Sequence, residues 1–393
     1  MGELYSAILG GLVGVIFTEI YQHLIKSRIQ ELSKKVFLKR RRELYRNKRT
    51  TSWIENYYDL KGNYDNLYDC RIGTVQKKIL YLTNEKWVGL DLDIYKQDIL
   101  RLDHGELMNF RTNKLMIRAR KFLGQRLFND DTLYLYSANS ADNLVVRKCK
   151  FYEKLTYIDS LERETRLCSR YRHICKPRLR DTYFSSFDRC VSQNRQPMSI
   201  GCHVACVITI DGKKLVCIEK RSEETFTYGG YFAVLPVFGL VPIPNEGQGN
   251  ILLFNIIKEY CEELFNINEL EHAPVRANPF WFYKSISQAQ QLLECLEKQT
   301  AFCKYLGYGV DAVNGMGVLS VLLHVTDEKV SESIYQQNIA NWEVSSGNTE
   351  PGIQFVSIDD FSLAVYLEKS EYQNASAITL DLAIKHLHQN SKK

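Results

Sequence analysis

Glu259, Glu262 and Glu263 lie in the segment ILLFNIIKEYCEELFNINEL at spacings i, i+3 and i+4, with Lys258 directly before them. On a helix this spacing brings the three carboxylates to one side within a single turn. Like charges so close repel unless a cation stands among them. Hard divalent ions such as Mg²⁺ prefer carboxylate oxygens and often bridge them to substrate phosphates. The chemistry on offer is therefore metal-assisted attack on a phosphate, and an acidic stripe on a surface helix is the other reading of the same residues.

These side chains need a helix to hold them, and Ile251, Leu252, Phe254, Ile257, Cys261 and Leu264 recur near helical spacing, which predicts one. Upstream, HVACVITIDGKKLVCIEKRS reads as two strands joined at Asp211-Gly212, a strong two-residue hairpin turn. Downstream, GVLSVLLHVTD and GIQFVSIDDF read as strands and LAIKHLHQ as a terminal helix.

Taken together, residues 200 to 390 resemble the Nudix hydrolase superfamily, whose signature is GX5EX7REUXEEXGU. Lys258-Glu259-Tyr260-Cys261-Glu262-Glu263 matches its REUXEE core with Lys in place of Arg, Arg221 follows the IEK strand where that family often has Arg, and YFAVLPVFGLVPIPNEGQ resembles the segment around the first Gly. Strict counting back from Lys258 puts Pro244 at the Gly and Asn250 at the Glu of the box. With Gly239 and Glu246 as counterparts the loop is five residues longer, and Phe265 stands where the family has its last Gly. The resemblance implies that Glu262 and Glu263 bind Mg²⁺ or Mn²⁺, that Glu259 is a ligand or base, that Lys258 orients Glu259, and that Arg221 and Gly239 contact substrate. Lys does not reproduce the bidentate grip of Arg on a carboxylate. Glu343 and Glu350 are further candidate ligands or bases.

The 393 residues suffice for two or three domains, and 45% apolar with 25% charged content is that of a globular chain. The net charge of +5 is concentrated: Lys26 to Arg49 holds eleven Lys or Arg against Glu31 and Glu43. Leu4 to Thr18 carries no charge over 15 residues, and the helix can run on to Ile25. This predicts a single transmembrane helix at residues 1–25 and a basic juxtamembrane segment at 26–49, with the later residues cytoplasmic by the positive-inside bias. An amphipathic helix lying on a surface is the alternative. Gly10 and Gly14 form a GxxxG face suited to helix pairing, and the run Lys39, Arg40, Arg41, Arg42 and Arg46 suits anionic head groups better than a nucleic-acid polymer. Eleven cysteines without a CxxC pair read as reduced thiols. Cys202, His203 and Cys206 read as core rather than zinc ligands, and His203 and His324 as core histidines.

Residues 50–195 read as a β-rich domain, from runs such as RIGTVQKKILYLT, KLMIRAR and TLYLYS, followed by a helix over about Phe151 to Arg170. Arg166, Arg170, Arg172, Arg178 and Arg180 form a possible phosphate patch or a solvated helix face. The expected fold class is thus α+β: an N-terminal single transmembrane helix, a β-rich middle domain, and a Nudix-like α/β/α sandwich over 196–393. That architecture resembles the membrane-anchored Nudix effectors of bacterial cyclic-oligonucleotide anti-phage signalling. It implies a single-pass inner-membrane homo-oligomer that either hydrolyses a nucleoside-diphosphate-linked substrate or senses a cyclic nucleotide and disrupts the membrane.

Overall fold

The computed structural model describes residues 27–390 except 64–65, 106–109, 126, 173, 193–195, 223–224, 226, 245–247, 268–277, 337–351, 359–361 and 369–370. The described residues open with the basic helix α1 (Ser27–Arg46) and, after an Asn47 side chain that accepts from the Arg49 amide, α2 (Lys48–Leu60). A hairpin of β1 (Leu67–Ile72) and β2 (Val75–Leu82) follows, then β3 (Val88–Asp93) and β4 (Leu100–Leu102). The KLMIRAR run, expected as a strand, is instead helix α3 (Lys114–Phe122). Its residues are mostly good helix formers, the Asn113 side chain caps the Met116 amide, and Ile117 and Arg120 bury at helical spacing.

β5 (Asp131–Ser140) and β6 (Asn143–Lys150) form a second hairpin, joined by β4 into a three-stranded sheet, and α4 (Phe151–Arg170) lies where the sequence placed a helix. Short helices α5 (Arg178–Tyr183) and α6 (Phe187–Val191) lead to β7 (Ile200–Ile210) and β8 (Lys213–Lys220). The turn between β7 and β8 has Asp211 at φ 49° and Gly212 at φ 74°, the two left-handed positions that an Asp-Gly hairpin turn supplies. Then come β9 (Phe232–Val234), β10 (Val237–Gly239), α7 (Ile251–Phe265), α8 (Phe282–Ser285) and α9 (Ser287–Glu297). The chain ends with β11 (Ala301–Asp311), β12 (Gly317–Val325), α10 (Glu328–Gln336), β13 (Ile353–Ser357), α11 (Ser362–Glu368) and α12 (Asn374–Asn390).

The main sheet runs β1-β2-β11-β12-β7-β8-β13, with β3 on β11, β10 on β7 and β9 on β8. It is mixed, since β12 and β7 are parallel and their neighbours antiparallel. β7 is apolar on both faces, as a strand covered on both sides must be. Its Cys202, Val204, Cys206 and Ile208 pack in the core with α7 and α9, while Ala205 and Val207 pack in the core with α12. The period of two therefore splits Cys202 and Cys206 from His203, which faces Ser376 of α12. β2 and β3 hydrogen-bond to β11, so strands from before residue 195 extend the C-terminal sheet and share its core.

The membrane placement expected from the sequence is corrected. Among the described residues no helix is long and apolar enough to cross a membrane, and the span expected at residues 4–25, with its GxxxG pair, lies outside them. An uncharged run of 15 residues is also shorter than the roughly 20 that a bilayer core requires. The fold is α+β with a mixed sheet, and neither a transmembrane helix nor a single-pass inner-membrane location is supported. Three residues of the basic segment instead bond within the fold. Arg41 pairs with Glu162 at 2.8 Å, Arg46 lies over the Tyr231 ring at 4.9 Å, and Arg49 caps α4 by donating to the Ser169 and Arg170 carbonyls, each at 2.9 Å.

Candidate functional site on helix α7

Fourteen of the fifteen residues of α7 are buried, Glu262 being the exception, so this helix is a core element whose acidic side is also largely covered. The Asn250 side chain starts it, accepting from the Leu253 amide at 2.9 Å and donating to the Ile94 and Gln97 carbonyls. Asn250, at the position of the box Glu on strict counting, is thus a helix cap that also grips the segment after β3. At the other end Asn266 takes the left-handed cap conformation at φ 52°, a place where Asn is tolerated.

Two side chains fasten the preceding loop to the helix. Asn255 accepts from the Val241 amide and donates to the Val241 carbonyl, both at 3.0 Å. Two turns later, Glu263 accepts from the Val237 amide at 2.9 Å. A buried carboxylate is tolerated only with such partners. The remaining carboxylates meet Lys258, whose ammonium lies 3.0 Å from Glu259 Oε1 and 3.2 Å from Glu262 Oε2. Burial pushes the Cys202 thiol well up, and the charges of Cys303, Glu259 and Glu263 add to the effect.

The structure therefore brings Lys258, Glu259 and Glu262 together and turns Glu263 toward the loop. Among the described residues no three Asp, Glu, His or Cys side chains are arranged to hold a metal ion. Two carboxylates nevertheless converge on one cationic point, and Mg²⁺ is commonly held by one or two carboxylates with water and substrate phosphates completing the shell. The donor set fits such an ion in kind, at the point that the Lys258 ammonium takes.

Arg221 follows β8, is buried, and donates to Glu219 Oε1 at 3.1 Å. Gly239 ends β10 exposed, opposite Gly201 of β7, and a Cβ there would stand 3.7 Å from Lys154 Nζ. Gly201 is the tighter position, because its Cβ would meet the Phe238 carbonyl oxygen at 2.7 Å. Glu246, Glu343 and Glu350 lie outside the described residues. His203 bonds Ser376 at 2.9 Å and His324 bonds Thr209 at 3.0 Å, both as core histidines whose pKa burial lowers, to about 3 and about 4.

Sequence reasoning missed a second polar centre, at the turn after β11. Asp311 accepts from the Val313 and Asn314 amides, from the Tyr228 hydroxyl and from Asn374. The Tyr45 ring packs tilted against Tyr228 with centroids 4.0 Å apart, and its hydroxyl donates to Glu162 at 2.5 Å. No local motif marks these residues, which come from five separate segments. Of the expected phosphate patch, Arg180 is fully buried, bonded to the Tyr58 hydroxyl, Thr165 and the Ala312 carbonyl, and so is structural. Compared with known families and curated proteins, the chain matches no family model and no curated relative.

Proposed function

We propose that residues 196–393 form a Nudix-like domain that hydrolyses a phosphoanhydride bond in a nucleotide, with Glu259 and Glu262 as the carboxylates that hold Mg²⁺ or Mn²⁺. The observation that carries this reading is the convergence of these two carboxylates on the one Lys258 ammonium. When bound, the ion neutralises phosphate charge and lowers the pKa of a coordinated water. Glu263 keeps the β9–β10 connection against the helix, Lys258 orients Glu259, and Gly239 leaves room beside the loop. The wider reading as a defence effector leaned on the N-terminal span, so the proposal rests on the domain alone.

The test uses the full chain with ADP-ribose, NAD⁺, nucleotide sugars and cyclic dinucleotides, with and without Mg²⁺ or Mn²⁺, reading release of phosphate or mononucleotide. Metal-dependent turnover that Glu262→Gln lowers at least about 100-fold supports the proposal. Turnover unchanged in that variant, or none with any substrate, rejects it.

A second reading is favoured by one feature: the ammonium already stands where the ion would go, and Glu263 is committed to the Val237 amide. In that reading the helix is a structural remnant and the domain senses a cyclic nucleotide. Saturable, metal-independent binding of a cyclic dinucleotide without turnover would select it.

A further inference from the structure

A cleft of ≈ 570 Å³ lies between α1, α3 and α4, and none of its lining residues belongs to α7 or to β8, β9 and β10. Each helix presents one face to it at spacings of three and four: Ser33, Phe37 and Arg40 from α1, Met116 and Ala119 from α3, Glu162 and Arg166 from α4. A volume of this size is that of small-ligand sites, roughly 300–1,000 Å³.

The charges around the cleft do not balance. Five arginines line it, Arg40, Arg41, Arg120, Arg163 and Arg166, against Asp159 and Glu162. Both carboxylates are spent: Arg41 holds Glu162 at 2.8 Å, and Arg120 holds Asp159 at 2.8 Å. Burial alone would raise the Glu162 carboxyl, but Arg41 and Arg120 outweigh it and hold it below its ordinary value, so the acid stays ionised and committed. Arg40, Arg163 and Arg166 are exposed and have no carboxylate within ion-pair distance among the described residues. Three guanidinium groups thus face one cleft from two walls with no counterion among the described residues.

The rest of the lining is apolar. Leu32 is 63% and Val36 49% exposed on the α1 side, and the Arg41 and Arg120 guanidinium groups lie 5.7 and 5.5 Å from the Phe37 ring centroid. An occupant that brings negative charge to the three arginines and apolar surface to α1 relieves both features. Arginine forks match phosphoryl oxygens in pairs, which makes phosphate the best-suited anion.

We propose that this cleft binds a small organic phosphate that carries at least two negative charges and an apolar or aromatic part. Arg40 and the Arg163–Arg166 pair take the phosphoryl oxygens, and Leu32 and Val36 take the apolar part. A free nucleotide and a phospholipid head group share this chemistry. The site is separate from the α7 carboxylates and does not depend on the hydrolase reading.

The experiment titrates the full chain with ATP and, separately, with dihexanoyl phosphatidic acid as dispersed monomers, in EDTA so that no divalent ion loads α7, reading heat or fluorescence. The expected result is saturable binding of at least one probe that weakens with added salt. The Arg163→Glu, Arg166→Glu variant should weaken it tenfold or more, Arg40→Glu should weaken it as well, and Glu262→Gln should leave it unchanged. All three arginines are exposed, so the variants should keep the melting temperature of the parent chain. Stronger binding of ATP identifies a nucleotide source and stronger binding of the lipid a head-group source, and either supports the site. Failure of both probes to bind, equal affinity in the arginine variants, or loss of binding in Glu262→Gln instead would overturn it.

Discussion

Glu263 accepts a 2.9 Å hydrogen bond from the Val237 amide, so the last turn of α7 is tied to the first residue of β10. A carboxylate read from its spacing as a metal ligand is here a structural acceptor, 4% exposed. Glu263→Ala should therefore lower the unfolding free energy by about 1–3 kcal/mol, the cost of leaving a buried amide unsatisfied. Glu262→Gln, at the one position of the helix that is not fully buried, should cost less than Glu263→Ala while lowering any metal-dependent turnover. Urea unfolding of the two variants beside the parent chain measures the difference. Equal losses would mean that Glu263 has no special structural role.

Lys258 stands between Glu259 and Glu262 as an internal cation. In Lys258→Met the two carboxylates face each other with that ammonium gone, and the chain should lose about 2–4 kcal/mol in EDTA. A divalent ion should then recover part of the loss, because it enters the point the ammonium vacates. Millimolar Mn²⁺ should raise the melting temperature of the variant by several degrees more than that of the parent chain. The same small shift in both would show that the pair of carboxylates does not hold a cation in place of lysine.

What the sequence made legible were the elements with strong local codes. The Asp211-Gly212 turn, the helix over Ile251–Phe265 and the helix over Phe151–Arg170 each follow from turn chemistry or apolar period. KLMIRAR misled because a short run of alternating apolar and charged residues also satisfies a helix once Asn113 caps it. The site was legible in its residues but not in its pairing, since spacing sets which side of a helix a carboxylate occupies and not which amide or ammonium it meets. The basic run around Arg41 misled for a related reason. Its partner, Glu162, lies 121 residues away, and only the packing of α1 against α4 brings them together.

Arg180 shows how far such long-range pairing carries the fold. It is fully buried and donates to the Tyr58 hydroxyl at 3.0 Å, to the Ala312 carbonyl at 2.5 Å and to Thr165 at 2.7 Å, which joins α2, α4 and the turn after β11. Arg180→Met keeps much of the volume and removes every donor. Charged hydrogen bonds contribute about 1.5–3 kcal/mol each and are not additive, so a loss of at least about 3 kcal/mol is expected. Arg166→Ala, on the exposed face of α4, should fall within about 0.5 kcal/mol of the parent chain. Chemical denaturation of both variants checks the contrast, and a loss under 1 kcal/mol for Arg180→Met would contradict the structural role.

Asp311 gives the fold a contribution that strengthens in acid. Burial pushes its carboxyl up to about 6, outweighing the donors from Tyr228, Val313, Asn314 and Asn374. Its value in the unfolded chain is near the ordinary 3.8, so the folded state binds the proton more tightly. The stability gained is then complete below about pH 4 and is lost as pH rises through about 6. His203 and His324 act with the opposite sign: burial lowers them to about 3 and about 4, so their contribution is complete above the ordinary histidine value of 6.5 and is lost as pH falls. The total pH curve mixes these effects, and the Asp311 part must be read as a difference. Asp311→Asn cannot titrate at this position. The stability of the parent chain minus that of the variant should therefore grow by about 1 kcal/mol between pH 7 and pH 5. A difference that stays flat over this window would mean that Asp311 remains ionised in the fold, held by the hydroxyl of Tyr228 and the two amides despite its burial.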